Sequence, residues 1–399
     1  MSIGIDTPNG RPPFIPELEK TMDQVLLLGG GKIGRMIAKF LTESGDYRVR
    51  VADVDAEALA RLKASTNVEV EQLDVTQHDQ LSNCMRDCQS VVSALSFRFN
   101  PAVAQAALET RTNYFDLTED VATTRAVRDI AKQAQDKQIF MPQCGLAPGF
   151  ISIAAHHLTQ SFDRLDRVHM RVGALPEFPT GELKYNLTWS TDGLINEYCN
   201  PCEAIHEGKR IDVLPLEGLE HFSLDGVRYE AFNTSGGLGT LCETLDAQVR
   251  ELNYKTVRYL GHRQLMHFLV GELRMSERRD QLKEILEDSV PITFQDVVVT
   301  FCTVSGWRKG NLVQMSDARK IYAEMIDNEP WSAIQLTTAA GICTVIDLAR
   351  EGHLPAKGFV KQEDVNFNDF LQNRFGQRYA NQAATRFSHA SSQGETNGQ

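Results

Sequence analysis

Short apolar runs alternate with amphipathic stretches over the first third of the chain. Residues 24–28 form an apolar run that ends in glycines, and residues 32–44 then follow helical periodicity. The same pattern predicts strands at 47–52, 69–73, 90–94, 114–116 and 138–141, and helices at 56–64, 77–86, 101–109 and 123–135. Such alternation of strand and helix indicates a parallel sheet with right-handed crossovers. We therefore predict an α/β fold in which residues 23–145 form a doubly wound Rossmann domain.

The pattern changes after residue 145. Strands of alternating polarity are predicted at 167–172 and 185–190, and a longer apolar strand at 291–301. These features are typical of an α+β domain with a mostly antiparallel sheet. We place this second domain at residues 146–330 and assign substrate binding and dimerisation to it.

The remaining segments lie at the ends of the chain. A strong helical pattern at 331–349 predicts that the segment 331–375 returns to the Rossmann domain. Residues 1–22 are rich in proline and glycine, and residues 376–399 are small and polar. We expect both to be flexible tails.

Composition and charge exclude several classes of protein. The formal net charge of -12 builds no positive surface for a phosphate backbone, which argues against a nucleic-acid partner. The longest apolar runs are too short for a membrane span, and the N-terminal residues do not match a signal peptide, so we expect a cytoplasmic protein. The eight cysteines are scattered, and the one C-x-x-C, Cys199 and Cys202, lacks further ligands at zinc spacing. No metal site is predicted.

A glycine-rich turn follows the first strand. Residues 29–34, Gly-Gly-Gly-Lys-Ile-Gly, match G-x-G-x-x-G between an apolar strand and a helix. In this motif Gly29 permits the tight turn, Gly31 lets the pyrophosphate approach the backbone, and Gly34 lets helix and strand pack closely. An ordinary glycine loop is the alternative, but Asp53 ends the second strand about 20 residues later, where a carboxylate binds the adenosine ribose.

Asp53 also bears on which cofactor is bound. Its charge disfavours the 2′-phosphate of NADP, so NAD is predicted, with NADP possible if Arg48, Arg50 or Arg61 folds back. The ends of the third and fourth strands are expected to contact the cofactor as well. The predicted cofactor-binding residues are Gly29, Gly31, Lys32, Ile33, Gly34, Asp53, Asp74, Val75, Ala94 and Leu95.

Several segments together resemble the saccharopine dehydrogenase family, of which lysine 6-dehydrogenase is a close member. They are the glycine turn, Ser-Phe-Arg-Phe-Asn-Pro at 96–101, Tyr-Phe-Asp-Leu at 114–117, Cys-Gly-Leu-Ala-Pro-Gly at 144–149, and the segments 189–198, 232–237 and 255–262. The resemblance covers most of residues 23–360. It implies a nicotinamide cofactor in the Rossmann domain, an amino-acid substrate in the cleft against the second domain, and oxidation of a C–N bond.

The resemblance also implies which residues line the cleft. By position, Ser96, Asp116, Cys144 and the loop of Asn233, Thr234 and Ser235 face the substrate. Saccharopine reductases carry an arginine after the Trp-Ser pair, whereas this chain has Thr191 and Asp192 there. The run Ser-x-x-Gly-Leu-Ile-Asn-Glu-Tyr is more similar to lysine 6-dehydrogenase, which oxidises a substrate with a free terminal amine.

Hydride leaves a carbon only when the attached nitrogen is neutral, so a base or a water path must first remove the ammonium proton. Asp116, at a strand end within the expected cleft, is the first candidate, although an aspartate there could also cap the next helix. His262 has a side chain suited to proton transfer, with a structural histidine as the alternative. Other candidates for a basic or orienting role are Lys184, Tyr185, Asp192 and Glu197.

Lys184 and Arg258 are the cations expected to bind the substrate carboxylate, and Cys144 is expected to form a small wall of the pocket. Two other functions stay open. A carboxynorspermidine-type polyamine dehydrogenase would need acidic residues such as Asp192 and Glu197 facing the pocket. A non-catalytic sensor that binds NAD would retain the glycine turn and Asp53 without a proton-transfer group.

Overall fold

The computed structural model describes residues 22–380. The tails predicted at 1–22 and 376–399 therefore lie almost wholly outside the described residues. In the first domain the strands are β1 (Asp23–Leu28), β2 (Tyr47–Asp53), β3 (Glu69–Gln72), β4 (Ser90–Ser93), β5 (Asn113–Asp116) and β6 (Ile139–Met141). The helices between them are α1 (Lys32–Glu43), α2 (Ala56–Ser65), α3 (His78–Met85), α4 (Asn100–Thr110) and α5 (Val121–Ala131).

These strands form a wholly parallel sheet in the order β6-β5-β4-β1-β2-β3. The chain reverses direction across the sheet between β1 and β4, so the carboxyl ends of these two strands flank a crevice. Leu28 pairs with Ser93 in register, and the N–H of Ala94 donates to the Leu28 carbonyl at 2.8 Å. The glycine turn and residues 94–96 therefore lie side by side at the switch point.

The second domain contains one large sheet with helices on one side. Its strands are β7 (Arg164–Pro176), β8 (Cys202–His206), β9 (Lys209–Val213), β10 (Glu220–Leu224), β11 (Val227–Asn233), β12 (Glu251–Tyr259), β13 (Asp296–Arg308) and β14 (Asn311–Tyr322), and β15 (Glu324–Ile326) pairs with β16 (Glu329–Trp331) in a separate hairpin. The helices are α6 (Phe150–Thr159), α7 (Thr191–Cys199), α8 (Leu241–Thr244), α9 (His262–His267) and α10 (Arg279–Ser289).

The main strand order is β10-β11-β12-β7-β13-β14, and β12 and β7 are the parallel pair among otherwise antiparallel neighbours. The predicted fold class, a Rossmann sheet plus a mostly antiparallel second domain, is confirmed. The strand predicted at 185–190 is wrong, because this segment is a loop that makes a single bridge between Leu187 and Ile292. The long strand predicted at 291–301 begins later, at Asp296.

The last part of the chain packs against both domains. It contains α11 (Ala333–Arg350), β17 (Gly358–Phe359) and α12 (Phe367–Gln372). Helix α11 contacts α1 and β13, and β17 adds a seventh parallel strand beside β6. Residues assigned to the C-terminal tail include a 3-10 helix, Gly376–Tyr379, whose buried Tyr379 donates a hydrogen bond to the Thr337 carbonyl at 2.7 Å. The ordered chain therefore continues beyond the predicted start of that tail.

Among residues 22–380, no helix combines the length and apolar character needed to cross a membrane.

Candidate active site

The glycine turn has a distinct role for each of its glycines. Gly29 has a φ of 102°, and a Cβ on Gly34 would collide with the Gly29 carbonyl oxygen. These two positions keep the turn tight against the helix. Gly31 is the residue before α1, and a Cβ there would meet no atom within 4 Å. The surface of the turn at Gly31 is therefore open to a ligand at the helix N-terminus, as a dinucleotide pyrophosphate requires.

The Asp53 carboxylate is fixed at the end of β2. Its Oδ2 accepts a hydrogen bond from the Gly30 N–H at 2.7 Å, and its Oδ1 accepts one from the Asp55 N–H at 3.0 Å. The three nearby arginines face other carboxylates: Arg48 and Arg50 pair with Glu69, Arg50 also with Glu71, and Arg61 with Asp55 and Glu57. None of these described ion pairs brings an arginine to Asp53.

A groove runs from the glycine turn to the N-terminal end of α7. Five of the predicted cofactor residues line it: Gly31, Lys32, Ile33, Gly34 and Ala94. Its opposite wall comes from the second domain and includes Asp192, whose carboxylate accepts a hydrogen bond from Lys283 Nζ at 2.7 Å. Asp74 lies outside this groove on the surface. Its Oδ1 accepts a hydrogen bond from the Thr76 N–H at 2.9 Å, which lowers its pKa, and Val75 follows it on the same turn.

The groove adjoins a cavity that is lined by residues of both domains. The residues that line both spaces are Ile33, Ala94, Trp189 and Ser190. The Rossmann domain contributes Leu95, Ser96, Leu117, Thr118 and Glu119 to the cavity wall, and the second domain contributes Glu197, Tyr254, Thr256 and Arg258. The groove and the cavity are therefore adjacent, and these four residues lie between them.

Arg258 is the cation of the cavity wall, and it is 3% exposed. Its Nε donates a hydrogen bond to the Tyr198 hydroxyl at 3.0 Å, and its Nη1 donates one to the Val257 carbonyl at 2.9 Å. The guanidinium carbon lies 4.8 Å from the centre of the Tyr185 ring. These contacts fix the guanidinium plane, a geometry suited to binding a carboxylate through paired N–H groups.

Two carboxyl groups face the same cavity. Burial raises the pKa of Glu119 to about 7, and burial together with the nearby Glu119 charge raises the pKa of Glu197 to about 8, although Arg258 opposes this shift. Oε1 of Glu119 is buried without a hydrogen-bond partner among the described residues. These are carboxyl groups whose titration has moved toward neutral pH, as general acid or base chemistry requires.

Asp116, the first candidate for the base, does not line the cavity. Its Oδ1 accepts hydrogen bonds from the N–H groups of Thr118 at 2.9 Å and Gln143 at 3.0 Å, and its Oδ2 accepts one from the Tyr114 hydroxyl at 2.6 Å. Burial raises its pKa to about 6. The side chain organises the turn after β5 and does not reach the space where a substrate would lie. These contacts support the structural alternative for Asp116, in which it organises the turn.

The other two predicted catalytic residues also lie behind the cavity wall. Lys184 Nζ donates a hydrogen bond to the Leu260 carbonyl at 3.0 Å. His262 is fully buried between the Leu183 carbonyl and the Tyr198 hydroxyl, 2.9 Å and 3.0 Å away, and burial lowers its pKa to about 3. A histidine that stays neutral at physiological pH and faces no cavity supports the structural alternative.

The predicted substrate residues divide into two groups. Ser96 and Arg258 line the cavity, and Asp192 lines the adjoining groove. The others are not among the residues that line these two spaces. Cys144 donates its S–H to the Met141 carbonyl at 3.0 Å, and Tyr185 packs under Arg258. Asn233 donates to the Leu214 carbonyl at 3.3 Å, Thr234 contacts the Thr256 hydroxyl at 2.8 Å, and Ser235 donates to the Asn196 carbonyl at 3.1 Å. Burial raises the pKa of the Cys144 thiol, which argues against a nucleophilic role.

Glu119, Tyr254 and Thr256 are site residues that the sequence analysis did not identify. Glu119 follows the end of β5 in the same turn as Asp116, so the sequence located the turn but not the side chain that faces the cavity. Tyr254, Thr256 and Arg258 all line the cavity, and their period of two along β12 puts them on one face of the sheet. This period of two is visible in the sequence and could have identified Tyr254 and Thr256 together with Arg258.

One group of possible metal ligands is present among the described residues. His206, Glu207 and Glu251 place ligand atoms within 4.8 Å of one another on the surface. Arg250 Nη1 already donates to Glu207 at 3.0 Å and to Glu251 at 2.6 Å, so the negative charge that would attract a cation is neutralised.

Comparison with known proteins agrees with this arrangement of domains. The family model described as saccharopine dehydrogenase NADP binding domain matches residues 25–141, and the model of the saccharopine dehydrogenase C-terminal domain matches residues 145–377. The chain is 25% identical over 328 residues to saccharopine dehydrogenase (NADP(+), L-glutamate-forming) of Saccharomyces cerevisiae, which covers 76% of this chain and 69% of that protein.

A second curated relative and a solved structure agree with these matches. Mitochondrial alpha-aminoadipic semialdehyde synthase of Bos taurus is 20% identical over 323 residues, which is 75% of this chain but only 33% of that longer protein. The apo structure of the Saccharomyces cerevisiae saccharopine dehydrogenase superposes with a TM-score of 0.72 at 18% identity, covering 87% of this chain and 95% of the other. The resemblance found in the sequence is confirmed, and the chain belongs to the saccharopine dehydrogenase family.

Proposed function

We propose that this chain is an NAD-preferring dehydrogenase that oxidises a C–N bond of an amino acid with a free terminal amine, of the lysine 6-dehydrogenase type. The observation that carries the proposal is that the groove at the glycine turn adjoins a cavity lined by Arg258 and two carboxyl groups, Glu119 and Glu197. A dinucleotide in the groove would present its reactive end to an amino acid in the cavity.

The residues at the glycine turn fit a nicotinamide dinucleotide. Gly31 leaves room for the pyrophosphate, the α1 N-terminus favours its charge, and Asp53 is positioned for the adenosine ribose. When bound, the cofactor supplies the two-electron oxidant. The matched family model is described as NADP binding, but the Asp53 charge and the engagement of the nearby arginines with other carboxylates support NAD.

The charges of the cavity support an amine-bearing substrate. Of the described residues that line it, Arg258 is the cation, and Glu119 and Glu197 are the acids. A tricarboxylate such as saccharopine would bring several negative charges to this single arginine. An amino acid such as L-lysine would instead place its carboxylate at Arg258 and its terminal ammonium near the two glutamates.

The protein side chains then act in three ways. Arg258 orients the substrate through its carboxylate, and the apolar side chains of Trp189 and Leu117 limit the access of water. A base removes the ammonium proton so that the carbon can release hydride. Water that enters afterwards hydrolyses the resulting carbon–nitrogen double bond.

The test is formation of reduced dinucleotide, followed by near-ultraviolet absorbance, with NAD or NADP and a panel of saccharopine, L-lysine, L-ornithine and carboxynorspermidine. We expect turnover with L-lysine and NAD. Turnover only with saccharopine would contradict the substrate proposal, and higher kcat/KM with NADP would contradict the cofactor preference.

A carboxynorspermidine-type dehydrogenase is the second candidate, because two acids in the cavity also suit a polyamine. Preferred turnover of carboxynorspermidine would select it. Binding of NAD without turnover of any amine would support the non-catalytic sensor. The homodimer and the cytoplasmic location inferred from the sequence stay predictions, and light scattering after size-exclusion chromatography tests the first of them.

A further inference from the structure

Glu119 and Glu197 reach the cavity from opposite domains. Glu119 lies in the turn between β5 and α5 of the Rossmann domain, and Glu197 lies on α7 of the second domain. The loop that follows β11 contacts both backbones. The Ser235 N–H donates to the Glu197 carbonyl at 3.1 Å, and Gly236 packs directly on the Glu119 carbonyl. The loop after β11 therefore holds the backbones of the two residues next to each other.

The two carboxyl groups have fewer hydrogen bonds than Asp116: the Glu119 carboxyl group accepts from its own backbone N–H and from Asn196, and Glu197 has none from a described residue. Glu197 is 6% exposed, and no described residue donates a hydrogen bond to its carboxyl group. Its pKa is shifted by burial and by the nearby charges of Arg258 and Glu119. Oε1 of Glu119 is likewise buried and without a partner among the described residues. Unpartnered buried carboxyl oxygens are costly, and they persist in proteins mainly where a ligand or a reaction uses them.

We propose that Glu119 and Glu197 act as a pair that binds the substrate ammonium group and accepts its proton. This inference rests on the proposed function and assigns the base that the proposed reaction needs. In the step, one N–H bond of the ammonium breaks and an O–H bond forms on a carboxylate oxygen of the pair. The electron pair of the broken bond stays on nitrogen, which makes the adjacent carbon ready to lose hydride to the nicotinamide dinucleotide as oxidant.

The surroundings of the pair explain why two acids serve better than one. Like charges in a buried site disfavour simultaneous ionisation, so the pair retains a proton into the neutral range and titrates where an amine reaction operates. The other charged and titratable groups that face the pair are Arg258 and Tyr254 on β12, Tyr185 before α7, Tyr198 on α7, Cys202 on β8, and Asp116 and Asp120 on the Glu119 turn. Among them Arg258 is the group that is positive at neutral pH, and the proposed substrate carboxylate neutralises it.

The kinetic test uses Glu119→Gln and Glu197→Gln, which keep the shape of the side chains, with Glu203→Gln on β8 as the matched control. Glu203 pairs with Arg125 and Arg210 on the surface. We expect kcat/KM for L-lysine to fall by about 100-fold or more in each cavity variant, because general base catalysis contributes that much. The limb of the pH profile that reports the pair should disappear, and calorimetric NAD binding should not change.

A second readout does not depend on turnover. In the wild-type chain, infrared spectra should show the C=O stretch of protonated carboxyl groups that persists to between about pH 7 and about pH 8, and each cavity variant should lose the contribution of the carboxyl group that it replaces. Wild-type turnover with unchanged kcat/KM and pH profile in both variants would overturn the pair while the proposed function stands. Absence of turnover in the wild type refutes the proposed function, and infrared spectra identical in all chains would then overturn the pair as well.

Discussion

Arg258 donates a hydrogen bond from Nε to the hydroxyl of Tyr198 at 3.0 Å. The donor and acceptor roles along the contacts from Arg258 through Tyr198 to His262 follow from the last contact, between His262 and the Leu183 carbonyl. Nδ1 of His262 lies 2.9 Å from the Leu183 carbonyl, which can only accept, so Nδ1 carries the proton of this neutral imidazole. Nε2 of His262 must then accept from the Tyr198 hydroxyl. Tyr198 and His262 thus position the guanidinium from behind the cavity.

Removal of the Tyr198 hydroxyl is expected to disturb substrate binding more than chemistry. In Tyr198→Phe, Arg258 loses a charge-assisted hydrogen bond worth about 1.5–3 kcal/mol, so KM for the amino acid should rise about tenfold or more with a smaller change in kcat. Steady-state kinetics on the wild type, this variant and Tyr229→Phe, a buried control on β11, measure the split. An unchanged KM in Tyr198→Phe would remove the positioning role.

The glycine turn predicts opposite behaviour for two similar substitutions. Gly31→Ala adds a methyl group in open space, so the free energy of unfolding should stay within about 1 kcal/mol of the wild type while NAD affinity falls. Gly34→Ala drives a methyl group into the Gly29 carbonyl and should destabilise the fold by about 1–3 kcal/mol. Denaturant unfolding and calorimetric NAD binding separate the two effects. Equal destabilisation with equal NAD affinity would contradict the geometry of the turn.

Asp53 is expected to set the choice between NAD and NADP. Asp53→Ser removes the charge that repels the 2′-phosphate and a strong acceptor for the ribose hydroxyls. The ratio of NAD to NADP affinity should therefore fall about tenfold or more. Glu57→Ser makes the same charge change on the exposed face of α2 and serves as the control. If both variants keep the wild-type ratio, the cofactor preference has another origin.

The raised pKa of Glu197 predicts how stability depends on pH. Its ordinary value of 4.5 applies to the unfolded chain, and burial raises the folded value to about 8. Between these values the unfolded chain binds fewer protons, so this residue makes the free energy of unfolding fall as pH rises. Glu197→Gln should be less sensitive to pH, with a gain over the wild type on the order of 4 kcal/mol at the upper end. The measurement is urea unfolding of the ligand-free wild type and Glu197→Gln at about pH 4.5 and at about pH 8. If the free energy of unfolding changes equally in both chains between these pH values, the pKa of Glu197 is not raised.

The Rossmann half of the fold could be predicted because each of its elements has a complete local signal. The central strands β1, β2 and β4 are largely apolar runs between helices, and the glycine turn marks the switch point. Strand β17 has only two residues, Gly358 and Phe359, so its place beside β6 depends on tertiary contacts alone. The alternation at 185–190 resembles a strand because Tyr185 and Leu187 pack into the core, but this segment lacks a neighbouring strand to pair with along its length.

The active site shows the same limit at the level of side chains. The end of β5 was correctly expected to lie by the cleft, since carboxyl ends of parallel strands meet there. Which acid of that turn faces the cavity depends on hydrogen bonds that the sequence does not display. Tyr114 and two backbone N–H groups bind Asp116, and this leaves Glu119 to reach the cavity. His262 likewise has a side chain suited to proton transfer, but it is buried and does not line the cavity.

The most direct test of the account is the stoichiometry of the reaction with L-lysine and NAD. The purified chain should form reduced dinucleotide and free ammonia in equal amounts. Oxidation of a primary amine reduces one dinucleotide, and hydrolysis of the resulting imine releases one ammonia. Reduced dinucleotide without ammonia, or binding of NAD with neither product from any amine in the panel, would contradict the proposed oxidation of a terminal C–N bond.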